Sequence, residues 1–88
     1  WVHIGHGCMI CKGVVLTCDI RIDHFVLLNW NVTVGHDSRV GAFSVVNPGS
    51  NVSGHIDIGE ACLIGTGTQI LEKLTIAPGT RLGAGAVP

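Results

Sequence analysis

Among the residues able to do chemistry, the adjacent pair His36 and Asp37 stands out, set in the run Leu28 to Gly54, LNWNVTVGHDSRVGAFSVVNPGSNVSG. An imidazole beside a carboxylate can act as a general base. The carboxylate orients the ring and stabilises the imidazolium, while the ring takes a proton from an amine or a hydroxyl. A solvent-facing turn can carry the same two residues, and on side-chain chemistry alone the two readings stand level.

Under either reading the pair sits in a strict repeat. Steps of six from Leu28 land on Val34, Val40, Val46, Val52, Ile58, Ile64, Ile70, Ile76 and Leu82, and in the other direction on Ile22, Leu16, Ile10 and Ile4. Four residues after each comes a small or aliphatic side chain, among them Ser38, Ser44, Ser50, Ile56, Cys62, Thr68, Leu74 and Ala86. The small position of one hexad and the aliphatic position of the next are two residues apart, so they share one face of a short strand. The chain buries a narrow stripe, turns, and repeats.

Corners are written between the stripes. Gly5, Gly35, Gly41, Gly59, Gly65 and Gly83 follow the aliphatic residue directly, whereas Gly7, Gly13, Gly49, Gly67, Gly79 and Gly85 lie three residues after it. Asp23, Asn29, Asn47, Asn31, Asp19 and Asp37 fill equivalent slots. All these types tolerate positive φ, which a corner every six residues is expected to require. One short strand and one corner per hexad define a parallel β-solenoid, its rungs about 4.8 Å apart and each burying a face it cannot bury alone. His36, two places after Val34, falls at a corner, where its imidazole should project outward.

Composition narrows the classes. The 88 residues make one small domain with a net charge of −1 from scattered charges, which suits neither a nucleic acid nor another polyanionic surface as partner. Apolar residues reach 47%, yet no apolar run approaches the roughly twenty residues of a membrane span. The four cysteines, Cys8, Cys11, Cys18 and Cys62, are expected to be reduced thiols of a cytoplasmic protein. Cys8 and Cys62 fall in the inward small slot as compact hydrophobes, and Cys8-x-x-Cys11 lacks a second pair at zinc-finger spacing. His24, His36 and His55 are twelve and nineteen residues apart and offer no close pair of ligands. No metal is expected.

Residues 4 to 87 resemble, without insertion, the hexapeptide-repeat acyltransferases. Within them the run N-x-N-V-T-V-G-H-D, then V-G-x-F, then N-P-G-x-N-V-S-G is similar to the sialic acid O-acetyltransferase and nucleotide-4-amino-sugar N-acetyltransferase family. The resemblance implies an all-β fold, a single-stranded left-handed parallel β-helix with three hexads per coil. Handedness and triangular section come from the family, since left-handed crossovers are otherwise rare. Eighteen residues per coil stack Cys18, His36, Gly54 and Glu72 in one column and Pro48, Thr66 and Ala84 in another. His6 stacks with His24 as exposed corner residues, and Phe25 with Phe43 as outward aromatics.

The resemblance further implies an acetyl-CoA-dependent acetyltransferase acting on a sugar, a nucleotide-linked amino sugar or sialic acid. His36 is then the catalytic base and Asp37 its activator. Gly54 matches a glycine whose backbone N–H meets the thioester carbonyl oxygen, a one-donor oxyanion site. Val45 stands where some members have a cofactor-touching histidine and is carried over only as a contact. Thr66 and Ala84 line the column along which the pantetheine arm of acetyl-CoA runs between subunits. A homotrimer with sites between subunits is implied, and it would cover Phe25, Phe43 and Trp30. Residues 1–88 are one β-helix domain, expected to be a fragment lacking an N-terminal nucleotide-sugar-binding domain and a C-terminal cap. Transfer is expected to be direct, since no nucleophilic Ser or Cys accompanies the base, with Cys18 in the column of His36 the one exception to test.

Two other classes remain open. A γ-type carbonic anhydrase, a zinc lyase on the same scaffold, needs three histidines meeting one metal, two of them a few residues apart, and only His3 and His6 are so spaced. A purely structural solenoid would carry His36 as an ordinary corner residue.

Overall fold

A computed structural model describes residues 1–88, and strands recur along it every sixth residue. They are β1 (Val2–Ile4), β2 (Met9–Ile10), β3 (Val15–Leu16), β4 (Ile20–Ile22), β5 (Leu27–Leu28), β6 (Thr33–Val34) and β7 (Arg39–Val40). After them come β8 (Val45–Val46), β9 (Asn51–Val52), β10 (Asp57–Ile58), β11 (Leu63–Ile64), β12 (Gln69–Ile70), β13 (Thr75–Ile76) and β14 (Arg81–Leu82). Three parallel sheets result, ordered β1-β4-β7-β10-β13, β14-β11-β8-β5-β2 and β12-β9-β6-β3. Pairing is in register at eighteen residues, as in Arg39 with Asp57 and Val40 with Ile58, so the expected coil of three hexads is the one that folds. No helix is long and apolar enough to cross a membrane.

A strand of two residues survives only because each coil is a template for the next. The second residue of each pair points inward, and Leu28, Val34, Val40, Val46, Ile58 and Ile64 are wholly buried. Each such side chain contributes about 1.5–3 kcal/mol relative to an exposed one. The small slot does more than fit. Ser38, Ser44 and Ser50 donate to the carbonyls of Ser53, Gly59 and Gly65, at 3.1, 2.9 and 2.9 Å. Cys8 and Cys62 make the same contact through sulfur to Asp23 and Ala77, at 3.0 and 3.2 Å, so these thiols are weak donors as well as fillers. The side chain thus ties each corner to the following coil.

The corners correct one expectation. Positive φ is confined to the position three residues after the aliphatic plug, and Asp19, Asn31 and Asp37 hold it there with the second set of glycines. Asp23, Asn29 and Asn47, one residue after the plug, do not adopt it. Glycine at that earlier position answers to space instead: a Cβ on Gly41 would lie 2.5 Å from the Glu60 nitrogen of the next coil. Phe25 and Phe43 also take the left-handed conformation, at φ 56 and 63, a strain of roughly 1–2 kcal/mol each. Their rings stack with centroids 5.4 Å apart, which offsets part of that cost.

The three outer faces differ in chemistry, because the residue just before each aliphatic plug points out. The sheet containing β7 presents Arg21, Arg39, Asp57 and Thr75 in register. The sheet containing β8 presents Met9, Leu27, Val45 and Leu63, an apolar row that ends at Arg81. On the third, Thr33 donates to Asn51 at 2.6 Å and Asn51 to Gln69 at 3.0 Å, a polar ladder. His36 stands on the edge where the polar face meets the charged one.

Candidate active site

Gly35, His36, Asp37 and Ser38 form the corner between β6 and β7. Asp37 turns the chain through a left-handed conformation, φ 57, and the His36 side chain is left half exposed, as its corner position predicts. His36 Nδ1 lies 3.0 Å from Asp37 Oδ2. A carboxylate only accepts, so Nδ1 carries the ring proton and Nε2 is left with its lone pair. Ser38 fixes the corner from within: its hydroxyl accepts from Ile56 N–H at 3.1 Å and donates to the Ser53 carbonyl at 3.1 Å.

The next coil supplies Gly54 and His55. The ring of His36 lies over Gly54, whose carbonyl accepts from Lys73 N–H at 3.1 Å and whose own N–H has no partner within the chain. His55, at φ 57, donates its N–H to the His36 carbonyl at 2.9 Å. Its ring meets that of His36 edge to face, centroids 5.0 Å apart and planes at 87°. His55 Nε2 is 3.9 Å from Asp37 Oδ2, and the donor atoms of His36, Asp37 and His55 all fall within 4.8 Å of one another. Sequence spacing had set this histidine aside. Nineteen residues is one coil plus one step, and Asp37 and His55, eighteen apart, share the left-handed column with Asp19 and Lys73.

A single copy brings His36, Asp37 and Gly54 together and leaves the other expected contacts elsewhere. Val45 points out from β8 on the apolar face, half-buried. Thr66 lies at the corner between β11 and β12, with Ala84 one coil on, an edge of the prism that His36 does not share. His6 and His24 stack as expected, centroids 5.0 Å apart, with His24 Nδ1 accepting His6 N–H at 2.7 Å. All four cysteines are free, and none joins the cluster around His36.

Beside the corner, on the charged face, opens a cleft of about 420 Å³ lined by Asp19, Arg21, Asp37, Arg39, His55 and Asp57, among others. Arg39 reaches Asp23 and Asp57, each at 2.9 Å, and Arg21 reaches Asp23 at 3.0 Å. Burial works to lower the Arg39 pKa, but hydrogen bonds and charge from Asp57 and Asp23 outweigh it and hold the guanidinium above its ordinary value. Those cations are spent on their own face. Asp19 and Asp37 pair with no Lys or Arg.

No protein-family model and no curated protein matches the chain. Solved structures do. The acetyltransferase domain of PglB from Neisseria gonorrhoeae is 34% identical, with TM-score 0.97 over 99% of this chain and 42% of that one. WeeI from Acinetobacter baumannii is 34% identical, with TM-score 0.97 over 100% of this chain and 44% of that one. The chain is a hexapeptide-repeat solenoid with the fold of these acetyltransferases. A histidine-to-asparagine mutant of perosamine N-acetyltransferase from Caulobacter crescentus, in complex with CoA and GDP-perosamine, is 31% identical, with TM-score 0.98 over 99% of this chain and 41% of that one. The PglB domain is also solved in complex with acetyl coenzyme A. This kinship makes the solenoid left-handed, and the chain spans about two fifths of the length of these relatives.

Proposed function

We propose that this solenoid is the acetyl-transfer module of an acetyl-CoA-dependent sugar acetyltransferase whose acceptor is a nucleotide-linked amino sugar or sialic acid. The observation that carries the reading is the His36 and Asp37 pair, 3.0 Å apart at an outer corner, lying over a glycine with a free N–H. The matches to acetyltransferases, one of them with CoA and GDP-perosamine bound, support a CoA thioester and a nucleotide-linked sugar, and sialic acid rests on the sequence resemblance.

In this reading His36 Nε2 takes a proton from the acceptor amine or hydroxyl as that atom attacks the thioester carbon. Asp37 holds the ring in the tautomer that can do so and stabilises the imidazolium. The Gly54 N–H donates to the oxyanion of the tetrahedral intermediate. As the carbon–sulfur bond breaks, His36 returns its proton to the departing thiolate of coenzyme A. No covalent acyl-enzyme and no metal enter. Val45, Thr66 and Ala84 contact the cofactor from a neighbouring copy. A homotrimer with sites between subunits accounts for their lying away from His36 and would cover the apolar row of Met9, Leu27, Val45 and Leu63. A cytoplasmic location would place the site with its acetyl-CoA and nucleotide-sugar substrates.

The test is free-thiol release from acetyl-CoA by the full-length protein, against a panel of amino sugars, sialic acid and nucleotide conjugates. Turnover with one of them and its loss in His36→Ala support the reading, and turnover unchanged by His36→Ala ends it. The cluster of His36, Asp37 and His55 favours a second reading, a zinc lyase on the same scaffold. Stoichiometric zinc in the purified protein, with no coenzyme A binding, would select it.

A further inference from the structure

We propose that His55 is a positioning residue of the acetyl-transfer site, acting on the base His36 through the Asp37 carboxylate that both imidazoles face. The inference rests on the reading of His36 as general base. Asp37 Oδ2 holds His36 Nδ1 at 3.0 Å, and the same oxygen has His55 Nε2 at 3.9 Å. The second distance is beyond a hydrogen bond and within reach of one after a small side-chain rotation.

Three constraints make that arrangement stiff. His55 N–H is bonded to the His36 carbonyl at 2.9 Å, which ties the two corners together. The rings pack edge to face. Asp37 and His55 both occupy left-handed positions, φ 57, so their Cβ atoms are stacked by the coil repeat and not by rotamer choice. Without a second group, the exposed Asp37 carboxylate is free to turn to water, and the His36 ring loses the partner that fixes its tautomer. A donor nitrogen at His55 keeps the carboxylate turned toward the two rings. The ring alone would not do this, which separates a polar role from a packing one.

The backbone offers clean variants. Phe25 and Phe43 occupy the equivalent left-handed position at other corners, so His55→Phe keeps an aromatic ring there and removes both nitrogens. His55→Gln retains an amide donor at about the reach of Nε2. In the full-length protein, His55→Phe is expected to lower kcat roughly tenfold and leave KM for acetyl-CoA within about twofold, with an unchanged melting temperature. His55→Gln should recover most of the loss. Against an Asp37→Ala background, a residue this corner conformation accepts as Ala61 does at φ 54, His55→Phe should cost nothing more, because its route of action has been removed.

Wild-type turnover in His55→Phe would overturn the inference, as would equal losses in His55→Phe and His55→Gln or a full additive loss on top of Asp37→Ala. A dead His36→Ala beside a fully active His55→Phe removes only the role of His55. An active His36→Ala removes the base itself and this inference with it.

Discussion

The imidazole of His36 lies across Gly54, close enough that a Cβ built on Gly54 would sit 2.7 Å from Nε2 and 2.9 Å from Cε1. Gly54 is not in the left-handed region, so its backbone accepts alanine, and the clash falls on the tip of one side chain. The ring must swing aside and give up its alignment on Asp37. Gly54→Ala is therefore expected to melt within a few degrees of wild type and to lose at least about tenfold in kcat, an orientation cost. Thermal melts beside steady-state kinetics check it, and a fully active Gly54→Ala would detach the chemistry from this corner.

Gly54 also shows what the sequence made legible and what it did not. Eighteen-residue stacking places it beside His36, and the family resemblance assigns its N–H a role. Neither registers that the ring needs the missing Cβ. The hexad of aliphatic plugs made the solenoid readable, because a period of six with two inward positions has few other solutions. His55 is nineteen residues from His36 along the chain, a spacing that hides its place in the column of Asp37, eighteen residues before it. The corners were only half legible, since Phe25, Phe43, Ala61 and Lys73 adopt positive φ that their residue types argue against. There coil geometry overrides local preference.

Removal of the proposed base and of its partner should separate two roles. His36→Ala is expected to lower kcat by about 10²–10⁴. Asp37→Asn should cost less, roughly tenfold, because an amide can still hold the ring but carries no charge for the imidazolium. Asn31 shows that asparagine accepts this corner conformation, at φ 59. Cys18→Ala, in the same column, should keep wild-type turnover if transfer is direct. A dead Cys18→Ala together with a trapped acetyl-thioester would replace that mechanism.

The forked contact of Arg39 with Asp23 and Asp57 joins three successive coils on the charged face. Both pairs are partly exposed, so Arg39→Gln is expected to cost only about 0.5–1.5 kcal/mol, less in high salt. Its raised pKa fixes the sign of the pH dependence. The contribution of a cation with a raised folded-state pKa is complete below its unfolded value and is lost as pH rises through the folded one, here above the ordinary guanidinium range. The difference in urea midpoint between wild type and Arg39→Gln should accordingly hold steady from neutral pH to pH 10. A difference that fades over that range would mean the guanidinium is not what the face depends on.

Ser44 tests whether the small slot is a fastener or mere filler. It is wholly buried, its hydroxyl accepts from Cys62 N–H at 3.1 Å and donates to the Gly59 carbonyl at 2.9 Å. Ser44→Ala fits the space and strands both backbone groups, each costly to leave unpaired away from water. The expected destabilisation is about 1–3 kcal/mol, although alanine is the more apolar residue. Ser44→Cys should fall between, because Cys62 already makes the equivalent sulfur contact at the next repeat of this corner, 3.2 Å from the Ala77 carbonyl. Denaturant melts of the three proteins rank them. If Ser44→Ala matches or exceeds wild type, burial alone sets the preference for small residues at this slot, and the hydrogen bonds add nothing measurable to the stacking of one coil on the next.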